Sequence, residues 1–166
     1  KVSKDGLKLE IIATGHRAPN GMSVGPNGEI TSADNEGNWV PTSRINLVKR
    51  GGFYGHVHTA HSDPLPTDYD KPLLWLPHQQ DNSSGGQVWV TSDRWGPLKG
   101  ELIHLSYGRC QMFKIMREEV NGQAQGSAVH FPLKFNSGIM RGRFNPRDGQ
   151  LYVVGLKVWQ SSGARY

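Results

Sequence analysis

The residues best suited to chemistry crowd into one short stretch, GHRAPNGMSVGPNGEITSADNEGNW, from Gly15 to Trp39. Arg17 stands before Ala18-Pro19, where the proline forces an extended backbone ahead of a turn. A guanidinium held on such a turn can grip a carboxylate or a hydroxyl through its planar fork of donors. The same side chain could instead bond backbone carbonyls between neighbouring sheets. Asp34, Asn35 and Glu36 supply oxygen ligands at a spacing that can hold Ca2+ in a loop, although the spacing is not that of an EF-hand. Asx-turn chemistry would account for the same residues. Trp39 closes the stretch as either a stacking platform for a sugar ring or an aromatic that packs sheets together.

Other polar groups are more dispersed. GGFYGHVHTAH brings His56, His58 and His61, with the first two on one strand face. Two imidazoles on one face can begin a metal site, but the sequence fixes no third ligand. SDRWGPLKG carries Arg94 and Trp95, which could stack by cation–π attraction or simply close a turn. Cys110, the single cysteine, lies between apolar residues and reads as a buried, inert thiol. No nucleophile elbow, phosphate-binding loop or paired-carboxylate signature is present.

The elements that must position these groups are short strands. Gly 21 and Pro 10 are abundant, and a hydrophobic share of 36 % suits many short elements joined by turns. The net charge of +5 comes from scattered lysines and arginines with no run beyond two, which argues against nucleic acid. No apolar run approaches the roughly 18 residues of a membrane span. Period-2 alternation predicts strands over 7–13, 22–24, 29–33, 45–48, 73–76, 87–91, 101–106, 111–116, 128–132, 139–144 and 150–156. Two segments share a template, GMSVGPNGEITSAD and GRFNPRDGQLYVVG, in which a proline-led turn ends on a glycine. Their prolines, Pro26 and Pro146, are 120 residues apart. That distance matches three units of about 40 residues each, the length of a propeller blade. The fold class is therefore all-β, built of three to four β-propeller blades, with boundaries expected near 1–60, 61–110 and 111–166. An open antiparallel sandwich is the alternative. The opening KVSKDGLKLE reads as the middle of something, so the chain is expected to be a piece of a longer protein or of a larger, six-bladed ring.

The ordered series of motifs resembles the soluble glucose/sorbosone dehydrogenases that use pyrroloquinoline quinone (PQQ). GHRAPNGMSVGPNGEI with SRINLVKRGGFYGH is similar to their pattern of Gly-x-Arg-Asn-Pro-x-Gly, an acidic loop and Gly-x-Asn-Tyr-Gly-Trp. DNSSGGQVWVTSDRWGPLKGELIHLSYGRCQMFKI and GIMRGRFNPRDGQLYVVGL resemble the later strands. The resemblance places a catalytic base histidine in a preceding blade, outside this chain. It matches the active-site arginine to Arg17 and cofactor contacts to Asn20, Arg109, and Arg141 or Arg143. It implies PQQ and Ca2+ as cofactors, a sugar or alcohol substrate and a periplasmic or secreted location; Trp39, Arg94 and Trp95 are the residues whose own chemistry suits contact with such a substrate. Departures are equally definite: the expected Asn is Ala18, and the acidic Asp-Glu pair of the calcium loop is Ser43-Arg44. They favour a second reading, a non-catalytic propeller that binds a glycan or a protein. A third is a structural subunit whose ring other chains complete.

Overall fold

The computed structural model describes residues 1–157. Ten strands form three antiparallel sheets that follow one another along the chain. The first contains β1 (Gly21–Val24), β2 (Ile30–Asp34), β3 (Ser43–Val48) and β4 (Leu74–Leu76), paired in sequence order. The second repeats that meander with β5 (Ser84–Trp89), β6 (Leu102–Ser106), β7 (Gln111–Val120) and β8 (Gln123–Lys134). The third pairs β9 (Gly138–Phe144) with β10 (Leu151–Leu156). These are two blades and the first two strands of a third. Among the described residues, helix is confined to two short 3-10 segments, Val57–Thr59 and Asp93–Leu98.

The first strands of successive sheets pack side by side, β1 on β5 and β5 on β9. Their sequences make this close approach possible. A Cβ on Gly21 would sit 2.4 Å from the Gly86 Cα, and one on Gly85 would sit 2.6 Å from the Leu105 carbonyl and 2.7 Å from that of Ile139. Only glycine allows such contact between backbones. The sheets therefore converge along β1, β5 and β9 and splay toward β4 and β8, as blades do around an axis.

The middle sheet is covered on both faces. Trp89, Leu102, Phe113 and Ile115 join Ala33, Ile45, Leu74 and Leu76 of the first sheet in one core. Val88, Ile103, Leu105 and Met112 join Ile139 in a second core, flanked by Phe144, Leu151 and Val153 of the third sheet. Alternate residues of β5 and β6 thus face opposite neighbours, and every residue of both strands is buried. Cys110 is buried and outside any disulfide, in the turn before β7.

Two expectations change. The stretch 7–13 is not a strand: it carries only an isolated Val2–Leu9 bridge, and Leu7, Leu9 and Ile11 are exposed. Its alternation pattern has no neighbouring strand to pair with among the described residues. The two templated hairpins are β1–β2 and β9–β10, with Gly28 at φ 85 and Gly149 at φ 70 in their turns as the template requires. They open the first and third sheets, so the 120 residues between Pro26 and Pro146 span two sheet repeats rather than three. The difference lies in long connections: residues 49–73 join β3 to β4, and a type I′ turn at Asn121 (φ 52) and Gly122 (φ 77) extends β7 and β8 beyond β6.

Candidate functional site

Antiparallel meanders gather alternate connections at one end. Residues 17–20 leading into β1, the β2–β3 loop, residues 77–83 leading into β5, and the β6–β7 turn all lie there. A chain of polar contacts runs across this end. Arg17 Nη1 pairs with Glu36 Oε2. The other Glu36 oxygen meets His78 Nε2 at 2.8 Å. Arg109 Nη2 donates to the carbonyl of His78. Asn20 then ties three sheets together: its Nδ2 donates to the Ser84 carbonyl at 3.0 Å, and its Oδ1 accepts from Arg141 Nη2 at 3.2 Å.

Two carboxylates underpin these groups, one per blade. In the first, Asp34 is buried at the end of β2 and accepts from the backbone N–H of Arg17 (2.9 Å), Ala18 (2.8 Å) and Asn35 (2.9 Å). Arg44, directly opposite on β3, donates to the same carboxylate at 2.8 Å. Both side chains of this pair are almost wholly inaccessible, at 2 % and 0 %. In the second blade the polarity is reversed: the incoming connection supplies the carboxylate. Asp81 is met by His104 Nε2 at 2.6 Å, Ser106 Oγ at 2.7 Å and Ser84 Oγ at 2.9 Å, all buried. Ser106 Oγ also accepts from the Arg109 N–H at 3.0 Å. Burial pushes the Asp81 carboxyl up, but the bonds from His104, Ser106 and Ser84 outweigh it and hold it below the usual carboxylate value.

Glu36 is governed similarly. Partial burial raises its carboxyl, while its own backbone N–H, His78 and Arg17 bring the net position below the ordinary value. His16, beside this cluster and stacked on Tyr54 with centroids 5.0 Å apart, is depressed chiefly by burial; Arg44 lowers it further and Asp34 opposes. A cleft of about 960 Å3 opens next to it, with His16, Asn20, Ser32 and Arg141 among its lining.

The structure brings Arg17, Asn20, Asp34, Asn35, Glu36, Trp39 and Arg109 to this end, and Arg141 reaches it through Asn20. Arg143 projects from the same side of β9, two residues farther from the mouth, and bonds the Gly142 carbonyl. Trp39 packs edge-on against Phe53 and beside Tyr69, leaving 39 % of its surface exposed. Arg94 and Trp95 lie at the opposite end, in the β5–β6 connection; Trp95 packs edge-on against Phe144 with centroids 5.1 Å apart. His56 and His58 approach each other, but among the described residues no three His, Cys, Asp or Glu side chains converge to hold a metal. His78 and Asp81 fall in HQQDNSSGG, legible as a polar cluster at a strand entry, whereas His104 carries no mark in the sequence. No local pattern gives their partners, which are 42 and 23 residues away. Arg44 could have been found, since it faces Asp34 across the β2–β3 hairpin.

The donor set discriminates between the two cofactors that the resemblance implies. Ca2+ does not fit at Asp34, Asn35 and Glu36: Asp34 is saturated by three N–H groups and Arg44, and Glu36 is held by Arg17 and His78. An anionic quinone fits better. Arg109, Arg141 and Arg143 make no ion pair among the described residues and direct their guanidinium groups to carbonyl oxygens or Asn20. Such groups suit carboxylates.

No family model matches the chain, and no curated protein matches it. Solved structures do. An apo crystal structure of the soluble aldose sugar dehydrogenase of Escherichia coli superposes with a TM-score of 0.63 at 16 % identity, over 93 % of this chain and 46 % of its own. The fold is that of a β-propeller, shared with these solved structures. A Thermus thermophilus protein described as an oxidoreductase (glucose dehydrogenase) gives 0.63 at 23 % identity, covering 90 % of this chain and 42 % of that one. The PQQ-bound aldose sugar dehydrogenase of Streptomyces coelicolor gives 0.60 at 12 % identity, covering 85 % and 40 %. The chain thus spans less than half the length of the solved propellers it matches. No helix among the described residues is long and apolar enough to cross a membrane.

Proposed function

We propose that the chain is part of an oxidoreductase of the propeller type that binds a quinone cofactor and a sugar or alcohol at the end carrying Arg17. The observation that supports this most is the set of arginines around the inner strands. Arg109 and Arg141 lie at the mouth and Arg143 two residues farther along β9, all without a carboxylate partner among the described residues. When bound, PQQ would supply the electron acceptor for oxidation of a substrate hydroxyl. The chain's own residues would hold and orient: Arg141, steadied by Asn20, and Arg109, steadied through Ser106, would grip carboxylates, and Arg17 would balance negative charge. Trp39 keeps an exposed edge on which a sugar ring could rest. Arg94 and Trp95, placed at the far end, have no part in this site. A periplasmic or secreted location accompanies this reading.

A second reading, a non-catalytic module that binds glycan or protein through the same mouth, is favoured by Arg44. It stands where the resemblance expects an acidic pair and is locked to Asp34. Titration with PQQ, with and without Ca2+, distinguishes the two. The oxidoreductase reading expects quinone uptake seen by absorbance, and dye reduction on adding an aldose or alcohol if the missing blades are supplied. Absence of quinone uptake in either condition removes it and leaves the binding module.

A further inference from the structure

At the mouth the Glu36 carboxylate is held between two basic side chains. Glu36 lies between Arg17 on one oxygen and His78, at 2.8 Å, on the other. Arg44 contributes to the field from below, and Arg109 fixes His78 through its carbonyl. These groups come from different connections, so the contacts of the Glu36 carboxylate are assembled by the fold rather than by one loop. The backbone of Arg17 is pinned by Asp34 at 2.9 Å, which leaves only its side chain free to change partner. That side chain is 47 % exposed and that of Glu36 is 29 % exposed, so a ligand can reach the pair.

We propose that Glu36 is a built-in competitor at this site, and that a carboxylate of the ligand displaces it from Arg17. The inference rests on the mouth being a binding site, as in the reading above, but not on redox activity. Two sources of that carboxylate share the chemistry, a sugar acid and the quinone itself. An exposed ion pair of this kind restrains Arg17 by up to a factor of about five, so removing the internal carboxylate has a measurable and opposite sign to ordinary damage. A residue that merely supported the loop would weaken binding when changed.

The test is calorimetric titration of the whole chain with D-glucuronate, D-glucose and PQQ, at pH 7, for wild type and Glu36→Gln. The expected result is tighter binding of glucuronate, or of PQQ, by about three- to fivefold in Glu36→Gln, with glucose unchanged. Whichever anion gains identifies the source. The gain should vanish in the double variant Glu36→Gln with Arg17→Gln. Unchanged or weaker binding of both anions, or an equal gain for glucose, overturns the proposal. Should Glu36→Gln fail to fold by circular dichroism, Glu36→Asp, whose shorter side chain withdraws the carboxylate from Arg17, is expected to give the same sign. A gain for glucuronate without any uptake of PQQ would sustain this inference while removing the oxidoreductase reading.

Discussion

Arg44→Met isolates the buried pair on which the position of Arg17 depends. Arg44 and Asp34 are 2 % and 0 % accessible, and their contact is 2.8 Å. Methionine keeps much of the volume but removes the charge, leaving Asp34 buried without a cation. Breaking one partner from such a pair costs about 3–5 kcal/mol. Three backbone N–H groups still solvate Asp34 here, so the lower end, about 3 kcal/mol, is expected. For a chain of this size that corresponds to a fall in Tm of roughly 6–12 °C. Urea unfolding followed by tryptophan fluorescence gives the free energy, and the cycle with Asp34→Asn isolates the coupling. A loss below about 1 kcal/mol for Arg44→Met would refute the reasoning: the N–H groups alone would then suffice, and the guanidinium would contribute packing only.

Further consequences follow from the close approach of the inner strands and from titration. Gly85→Ala places a methyl group against the backbone of β6 and β9; a loss of about 1–3 kcal/mol is expected in the same urea assay, and an unchanged midpoint would mean that the sheets are not in contact there. The depressed His16 makes the unfolded chain the better proton acceptor near its ordinary pKa, so stability falls as pH drops below about 6.5. Asp81, depressed in the folded state, adds a second loss as pH falls below its ordinary value of 3.8. A Tm series from pH 7 to pH 3 should show both declines, and Asp81→Asn should reduce the acid one, the rest coming from other depressed carboxylates such as Glu36; a flat profile would contradict both assignments.

Much of the architecture was legible because strands and tight turns are written locally. Alternation marked at least part of every strand from β1 to β10, and turn glycines fixed the two templated hairpins. β8 was seen only in part, as 128–132. The segment 7–13 misled because alternation records a face, not a partner. The spacing of the blades misled because the 49–73 connection and the extension of β7 and β8 beyond β6 lengthen the repeat without altering its local pattern.

The site divides along the same line. Local features of the sequence placed Arg17 and Glu36 in connections between strands, because a Pro turn and a polar loop are written locally, whereas Asn20 and Arg109 were marked only through the resemblance. Only the tertiary structure decided their partners. Asp34 is turned from a cation ligand into the anchor of Arg17 and Arg44, and Trp95 is sent to the opposite end. His78 becomes the bridge between two blades. Charges and donors act over a few ångströms in space, whatever their separation along the chain, and antiparallel meanders choose which connections meet.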